Sequence, residues 1–218
     1  VADFDGDGDI DVAAAGLGDI AILLKNGNGS FSGPTSYSIP GATWIENVVA
    51  ADFNGDGFFD LATGDNDNDA DGTSFKVLLN KADGIGNFST LPLAYPGGSN
   101  VVFGLVSADF DNDEDADVVT TGSSELHISS LTNTLHTLPS PPDLFEVHSR
   151  VLNTGHSDFP TAGDIDNDGD QDLFCQFRSS QLYVYLNSGS AVFTNSGIYN
   201  TGQDAGGIAV ADFSGDGA

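Results

Sequence analysis

The stretch ADFDGDGDIDV (Ala2–Val12) decides how the rest of the chain is read. It returns as ADFNGDGFFDL (Ala51–Leu61), ADFDNDEDADV (Ala108–Val118) and GDIDNDGDQDL (Gly163–Leu173), and begins once more as ADFSGDGA (Ala211–Ala218). The first aspartate of each copy is Asp3, Asp52, Asp109, Asp164 and Asp212, giving intervals of 49, 57, 55 and 48 residues. A period of about 50 that drifts by several residues predicts one supersecondary unit per repeat, with the differences absorbed in loops. The whole of 1–218 is then a single repeat region, with units starting near residues 2, 51, 108 and 163 and a stub at 211.

Each unit reads as short strands. The acidic stretch is followed by DVAAAG, DLATG, DVVTTG and DLFCQF, apolar runs too short for helices. The next run alternates with period two, as Ile20, Ile22 and Leu24, Val77 and Leu79, Leu126 and Ile128, then Leu182, Val184 and Leu186. Its other face carries Ala21, Leu23, Leu78, Tyr183 and Tyr185, so both faces are partly apolar, as expected of a sheet covered on both sides. A turn such as NGNGSF (Asn26–Phe31) leads to a further strand near Tyr37 or at Leu93–Tyr95, and NVVAADF and GLVSADF form the strand entering the acidic loop. Four strands in ~50 residues predict an all-β fold, a β-propeller of four-stranded blades with about four repeats and truncated motifs at both ends. The 28 glycines against eight prolines suit a chain with many tight turns.

The acidic loop carries oxygen ligands at positions 1, 3, 5 and 9 of each full copy: Asp3, Asp5, Asp7, Asp11; Asp52, Asn54, Asp56, Asp60; Asp109, Asp111, Asp113, Asp117; Asp164, Asp166, Asp168, Asp172. Carboxylates crowded into one turn repel unless a cation joins them, and an all-oxygen set in a flexible loop selects Ca²⁺ over Mg²⁺. Glycine at position 6 (Gly8, Gly57, Gly169) frees the position-7 carbonyl of Asp9, Phe58 or Asp170 as a further ligand, and Asp115 would supply it in the third copy. An EF-hand would need Glu at position 12, where the chain has Ala14, Thr63, Thr120 and Cys175. The glycine-rich repeats of Ca²⁺-binding β-helices recur about every nine residues and are excluded by period. Four matching copies argue against mere solvated acidic turns.

With its ADFxGDGxxDL loops and the phrase AILLKNGNGSFSGPTSYS (Ala21–Ser38), the chain resembles the FG-GAP/VCBS repeats of integrin-α-like β-propellers over essentially its full length. The resemblance implies a propeller with calcium loops, in a family that spans adhesion receptors, lectins, secreted surface proteins and the scaffolds of some polysaccharide lyases. Family propellers commonly close with more blades than the four repeats present. Three departures bear on the sites. Glu114 replaces the position-6 glycine and is expected to distort or weaken the third loop. The third copy lacks the NGxGxF turn, and the last copy has Ser214 at position 3 and stops before a ninth residue.

Other residues invite weaker readings. Asp65, Asp67, Asp69 and Asp71 alternate like a second ligand ladder, or form a solvated loop. His127, His136, His148 and His156 match no compact metal motif. Arg150 and Arg178 with His148, Tyr183 and Tyr185 are the place a lyase-like base and anion clamp would occupy. Cys175, the single cysteine, reads as a small core residue. Asn28 and Asn87 begin N-glycosylation sequons, and Trp44, Tyr37, Tyr95 and Tyr199 either stack on sugars or fill gaps between blades.

With 33 acidic and 5 basic side chains, the net charge is −28, which excludes ordinary nucleic-acid binding and disfavours anionic membrane surfaces. No apolar run approaches the ~20 residues of a spanning helix, so membrane insertion is not expected. Lack of methionine and a start at Val1 suggest a piece of a longer protein. The expected role is a non-enzymatic, calcium-stabilised module, secreted or at the cell surface, where Ca²⁺ is plentiful. Its partners would be a glycan, a surface protein, further copies or neighbouring blades. A polysaccharide lyase or hydrolase built on the propeller is the alternative.

Overall fold

A computed structural model of the chain describes residues 1–65, 74–90, 92–96, 101–122, 126–133, 144–153, 157–177, 180–202 and 207–213. These residues form strands and turns without a helix. The strands make four antiparallel sheets, each in simple up-and-down order. Sheet 1 is β1 (Val12–Ala15), β2 (Asp19–Lys25) and β3 (Phe31–Ser38). Sheet 2 is β4 (Ile45–Ala51), β5 (Asp60–Asp65), β6 (Phe75–Leu78) and β7 (Leu93–Tyr95). Sheet 3 is β8 (Val102–Ala108), β9 (Asp117–Gly122), β10 (Leu126–Asn133) and β11 (Phe145–Asn153). Sheet 4 is β12 (Ser157–Gly163), β13 (Asp172–Phe177), β14 (Gln181–Leu186) and β15 (Thr194–Asn200). The expectation of four strands per repeat holds in sheets 2 to 4. Sheet 1 has three, because only Ala2, bridged to Asp11, stands where a first strand would run.

Two compact units divide the chain, Val1–Val102 and Phe103–Ala218. In the first, Ile20 and Ile22 of β2 meet Leu61 and Leu78 of sheet 2, with Phe4 and Phe88 in the same core. In the second, Phe110 and Val119 meet Leu173, Cys175, Tyr183, Tyr185 and Phe193. Each unit thus packs one sheet on the next, which covers one of the two apolar faces of each sheet. Register places the pairs: Ala13 opposes Ile22, Leu61 opposes Leu78, and Leu173 opposes Tyr185. Cys175 is a core residue as expected. Tyr183 and Tyr185 are buried and stacked with ring centroids 6.3 Å apart, so neither lines an open clamp. Tyr37 and Tyr95 are also buried, which removes them from the set of sugar-stacking candidates and leaves Trp44 and Tyr199 exposed.

Candidate metal centre

The four acidic loops share one hydrogen-bond scheme. The position-1 carboxylate accepts two backbone N–H groups from across its turn: Gly6 and Gly8 donate to Asp3 (2.8 and 2.9 Å), Asp56 and Gly57 to Asp52 (3.1 and 2.8 Å). Asp113 and Glu114 donate likewise to Asp109 (3.2 and 3.1 Å), and Asp168 and Gly169 to Asp164 (3.2 and 3.1 Å). The position-5 carboxylates of Asp7, Asp56, Asp113 and Asp168 each accept the N–H of the position-7 residue, Asp9, Phe58, Asp115 or Asp170. Such side chain to backbone bonds curl the loop without regular secondary structure.

The curl requires left-handed backbone at two places. Position 6 has φ of +92°, +90° and +98° at Gly8, Gly57 and Gly169, and Glu114 adopts +73° in the third copy. The third loop therefore keeps its shape and its N–H bond to Asp109; Glu114 adds strain, costing roughly 1–2 kcal/mol, instead of distortion. Position 4 is left-handed too, at Gly6, Gly55, Asn112 and Asn167. Gly and Asn are the residues that tolerate this region, so the position-4 alternation of G and N was a readable signal of the turn.

Position 9 has a larger role than its place as a ligand suggests. Asp11, Asp60, Asp117 and Asp172 are fully buried. One oxygen accepts the position-2 N–H: Phe4 to Asp11, Phe53 to Asp60, Phe110 to Asp117 and Ile165 to Asp172, at 2.8 to 3.0 Å. In three copies the other accepts an N–H at or just past the end of β2, β6 or β14: Lys25 to Asp11 (2.7 Å), Asn80 to Asp60 (2.7 Å) and Asn187 to Asp172 (2.8 Å). This aspartate closes the loop and fastens it to the sheet.

Carboxylate oxygens of Asp3, Asp5 and Asp11 lie within 4.8 Å of one another, as do those of Asp109, Asp111 and Asp117 and of Asp164, Asp166 and Asp172. The second copy has Asn54 at position 3 and so presents one carboxylate fewer. Asp111 Oδ1 is buried without a hydrogen-bond partner, a lone pair facing into an anionic cluster. Loss of solvent, followed by repulsion from neighbouring carboxylates, raises the pKa of Asp5, Asp111 and Asp166 above the ordinary carboxylate value. Burial pushes Asp60 up to about 7, against the opposing pull of its bonds from Asn80 and Phe53. An orphaned oxygen among converging hard donors fits a divalent cation of the Ca²⁺ type.

Sequence reasoning missed Asn80 and Asn187. Each donates its side-chain amide twice, once to position 8 of its own loop (Phe59 O, 3.2 Å; Gln171 O, 3.1 Å) and once to position 2 of the preceding copy's loop. Those second bonds reach Phe4 O at 2.9 Å and Phe110 O at 2.7 Å. A phenylalanine later in the same turn completes the joint: Phe88 meets Phe4, and Phe193 meets Phe110, edge to face with centroids 5.5 Å apart in both pairs. Loops also touch directly, for Asn112 Nδ2 donates to Asp170 Oδ1 at 2.6 Å.

The remaining candidates fall as follows. Asp65 is buried in an ion pair with Lys76 (2.8 Å), while Asp67, Asp69 and Asp71 lie outside the described residues. His127 and His148 are on β10 and β11, opposite Val151 and Ser130; His136, His156, Arg178 and Ser214 lie outside the described residues. Asn28 is exposed, and its Oδ1 accepts from Ser30. Asn87 donates to Asp83 Oδ2 (2.8 Å) beneath the turn that carries Phe88.

The sequence profile of the FG-GAP-like repeat matches residues 3–63 and 164–218, the first stretch holding the loops that begin at Asp3 and Asp52 and the second the loop that begins at Asp164. The chain belongs to the FG-GAP-like repeat family. No curated protein sequence matches it. Among solved structures, this FG-GAP-like chain is similar in fold to an Agrocybe aegerita lectin described as recognising non-reducing terminal N-acetylglucosamine. The two share 20% identity with a TM-score of 0.55; the match covers 93% of this chain and 51% of the lectin, so the chain spans about half the lectin's length. Its FG-GAP-like repeats and its four antiparallel sheets together make it propeller-like.

Proposed function

We propose that the chain is a calcium-stabilised, non-catalytic recognition module that works outside the cell and binds a glycan or a surface protein. The carrying observation is the convergence of three carboxylates in each of three loops, with the orphaned Asp111 oxygen among them. When bound, Ca²⁺ supplies the positive charge these oxygens lack. The protein's part is to hold Asp3, Asp5 and Asp11, and their counterparts at 109, 111 and 117 and at 164, 166 and 172, in one place, through N–H bonds that fix each carboxylate before any ion arrives. Asp7, Asp56, Asp113 and Asp168, and the position-7 carbonyls, remain the further ligands this reading assigns. Millimolar extracellular Ca²⁺ suits weak sites of this type, which would stay unfilled in the cytosol. Glycan binding is favoured by the likeness to a sugar-binding lectin and by the exposed Trp44 and Tyr199, flat rings able to stack on sugar faces.

Thermal melts with Ca²⁺ and with EDTA test the metal, and an array of glycans, including chains ending in N-acetylglucosamine, tests the partner. Chelation is expected to lower the melting temperature. Without cation the loss should deepen with pH, because carboxylates whose folded pKa is raised favour the fold when protonated. That contribution is complete below about pH 4 and fades as pH climbs through the value of about 7 for Asp60. Unchanged melting with EDTA at pH 7 would remove the calcium reading. Calcium-dependent release of unsaturated or reducing sugar ends would replace the binding module with the lyase or hydrolase alternative.

A further inference from the structure

In the second unit the third and fourth acidic loops are tied together at residues that carry their carboxylates. Asn187 is bonded to both loops at once. Its N–H donates to Asp172, the ninth residue of the fourth loop, while its amide donates to the carbonyls of Gln171 in that loop and of Phe110 in the third. The Phe110 carbonyl belongs to the peptide that leads into Asp111, one of the three converging carboxylates of the third loop.

A second link runs between the loops' own residues. Asn112, at position 4 of the third loop, donates its amide to Asp170 Oδ1, at position 7 of the fourth, at 2.6 Å. The same two positions meet in the first unit, where a Cβ on Gly6 would stand 3.3 Å from the Phe58 ring. The meeting recurs, and its chemistry differs: glycine against an aromatic ring in the first unit, amide against carboxylate in the second. Asn112 has φ of +63° and Gly6 of +78°, so the amide is carried on a backbone that glycine also adopts. Gly189, in the turn after β14, comes close to this bond, since a Cβ there would stand 2.8 Å from Asn112 Nδ2 and from both carboxylate oxygens of Asp170.

We infer that the third and fourth loops take up calcium as a coupled pair, with Asn112 and Asn187 as the positioning residues that carry the coupling; this rests on the reading of the loops as calcium sites. Each loop must hold its carboxylates together against their mutual repulsion, and doing so fixes whatever those residues are bonded to. With Asp164, Asp166 and Asp172 held, Asp172 fixes the Asn187 N–H, Asn187 fixes the Phe110 carbonyl, and Asp170 fixes Asn112. The third loop then has less freedom left to lose when its own carboxylates close. Linkage makes the effect equal in the other direction. The first and second loops are joined through Asn80 without an amide to carboxylate bond at positions 4 and 7, so their coupling is expected to be weaker.

The test is a calcium titration of the full chain followed site by site by heteronuclear NMR, with the amide of Glu114 reporting the third loop, Gly169 the fourth and Gly8 the first. Asp166→Asn weakens the fourth loop by removing a ligand charge. In the otherwise native chain it is expected to lower calcium affinity at Glu114 about fivefold, with Gly8 unaltered. With Asn112→Gly and Asn187→Ala also in place, the same change should alter affinity at Glu114 by less than about twofold. Asn112→Gly alone, which installs the residue the first two loops have there and leaves the Asn187 joint intact, should already shrink the effect. Affinity at Glu114 indifferent to Asp166→Asn, or an effect undiminished by loss of Asn112 and Asn187, would overturn the inference and leave the calcium sites standing. Amides of Glu114 and Gly169 that do not respond to calcium would instead remove the calcium reading, and this inference with it.

Discussion

The turns after β2 and after β6 occupy equivalent places and do different work. Both give a backbone N–H to the ninth aspartate of their own loop, from Lys25 to Asp11 and from Asn80 to Asp60. Beyond that bond they diverge. Lys25 sends its ammonium to Asp9 at 2.7 Å, in a partly exposed ion pair, and the Phe31 ring of its turn is 48% exposed. Asn80 sends its amide into the neighbouring repeat, and Phe88 in its turn is fully buried. Holding the loop is thus the work of the backbone N–H, and joining the preceding repeat, where Asn80 does it, is the work of the side chain.

The largest expected effect concerns what the two turns share. Asp11→Ala and Asp60→Ala each leave two N–H groups unpaired at a fully buried site and should each destabilise by about 3 kcal/mol, read as a shift in urea unfolding. A much smaller loss in one repeat would break the equivalence. Asp172→Ala belongs to the same class, whereas Asp170→Ala removes only a bond to Asn112 at the surface and should cost less than a third as much.

Next in size is the contrast itself. Asn80→Ala removes donors from Phe4 O and Phe59 O and an acceptor from the Ala82 N–H, for about 2 kcal/mol, while Lys25→Ala loses a screened ion pair worth about 0.5 kcal/mol. Equal losses in urea unfolding would show that the asparagine joint carries no special weight. The smallest effect runs the other way: Glu114→Gly relieves a positive φ and should stabilise by about 1 kcal/mol, raising the melting temperature without altering the loop's other bonds. A drop in melting temperature would mean that the Glu114 side chain makes a favourable interaction outweighing its strain.

The loops were legible because their ligand spacing recurs within a few residues, where side-chain chemistry dictates geometry. The strands followed from period-two alternation, and Cys175 from its apolar setting. What could not be read along the chain were contacts between distant residues. The asparagine joints span 76 and 77 residues, and an asparagine after a strand looks like any turn former. Asp11 was legible as a ligand but not as the fastener of its loop, because its bond to Lys25 lies fourteen residues away in sequence. Tyr183 and Tyr185 suggested an active cleft only while the sheet that buries them was out of view. Glu114 was expected to spoil its turn, but the loop is held by enough backbone bonds to force even glutamate into a glycine conformation.

The asparagine joint has a consequence for how such a chain can grow. Its donor, beside the third strand, and its acceptor, the position-2 carbonyl, belong to the same repeat, so a tandem gene duplication delivers both halves of a new connector at once. Lengthening by copying then needs no invention of a fresh contact, only preservation of one amide and one ring. Because the loop is held by a backbone N–H, the side chain at this position can differ, as at Lys25, without undoing the loop itself.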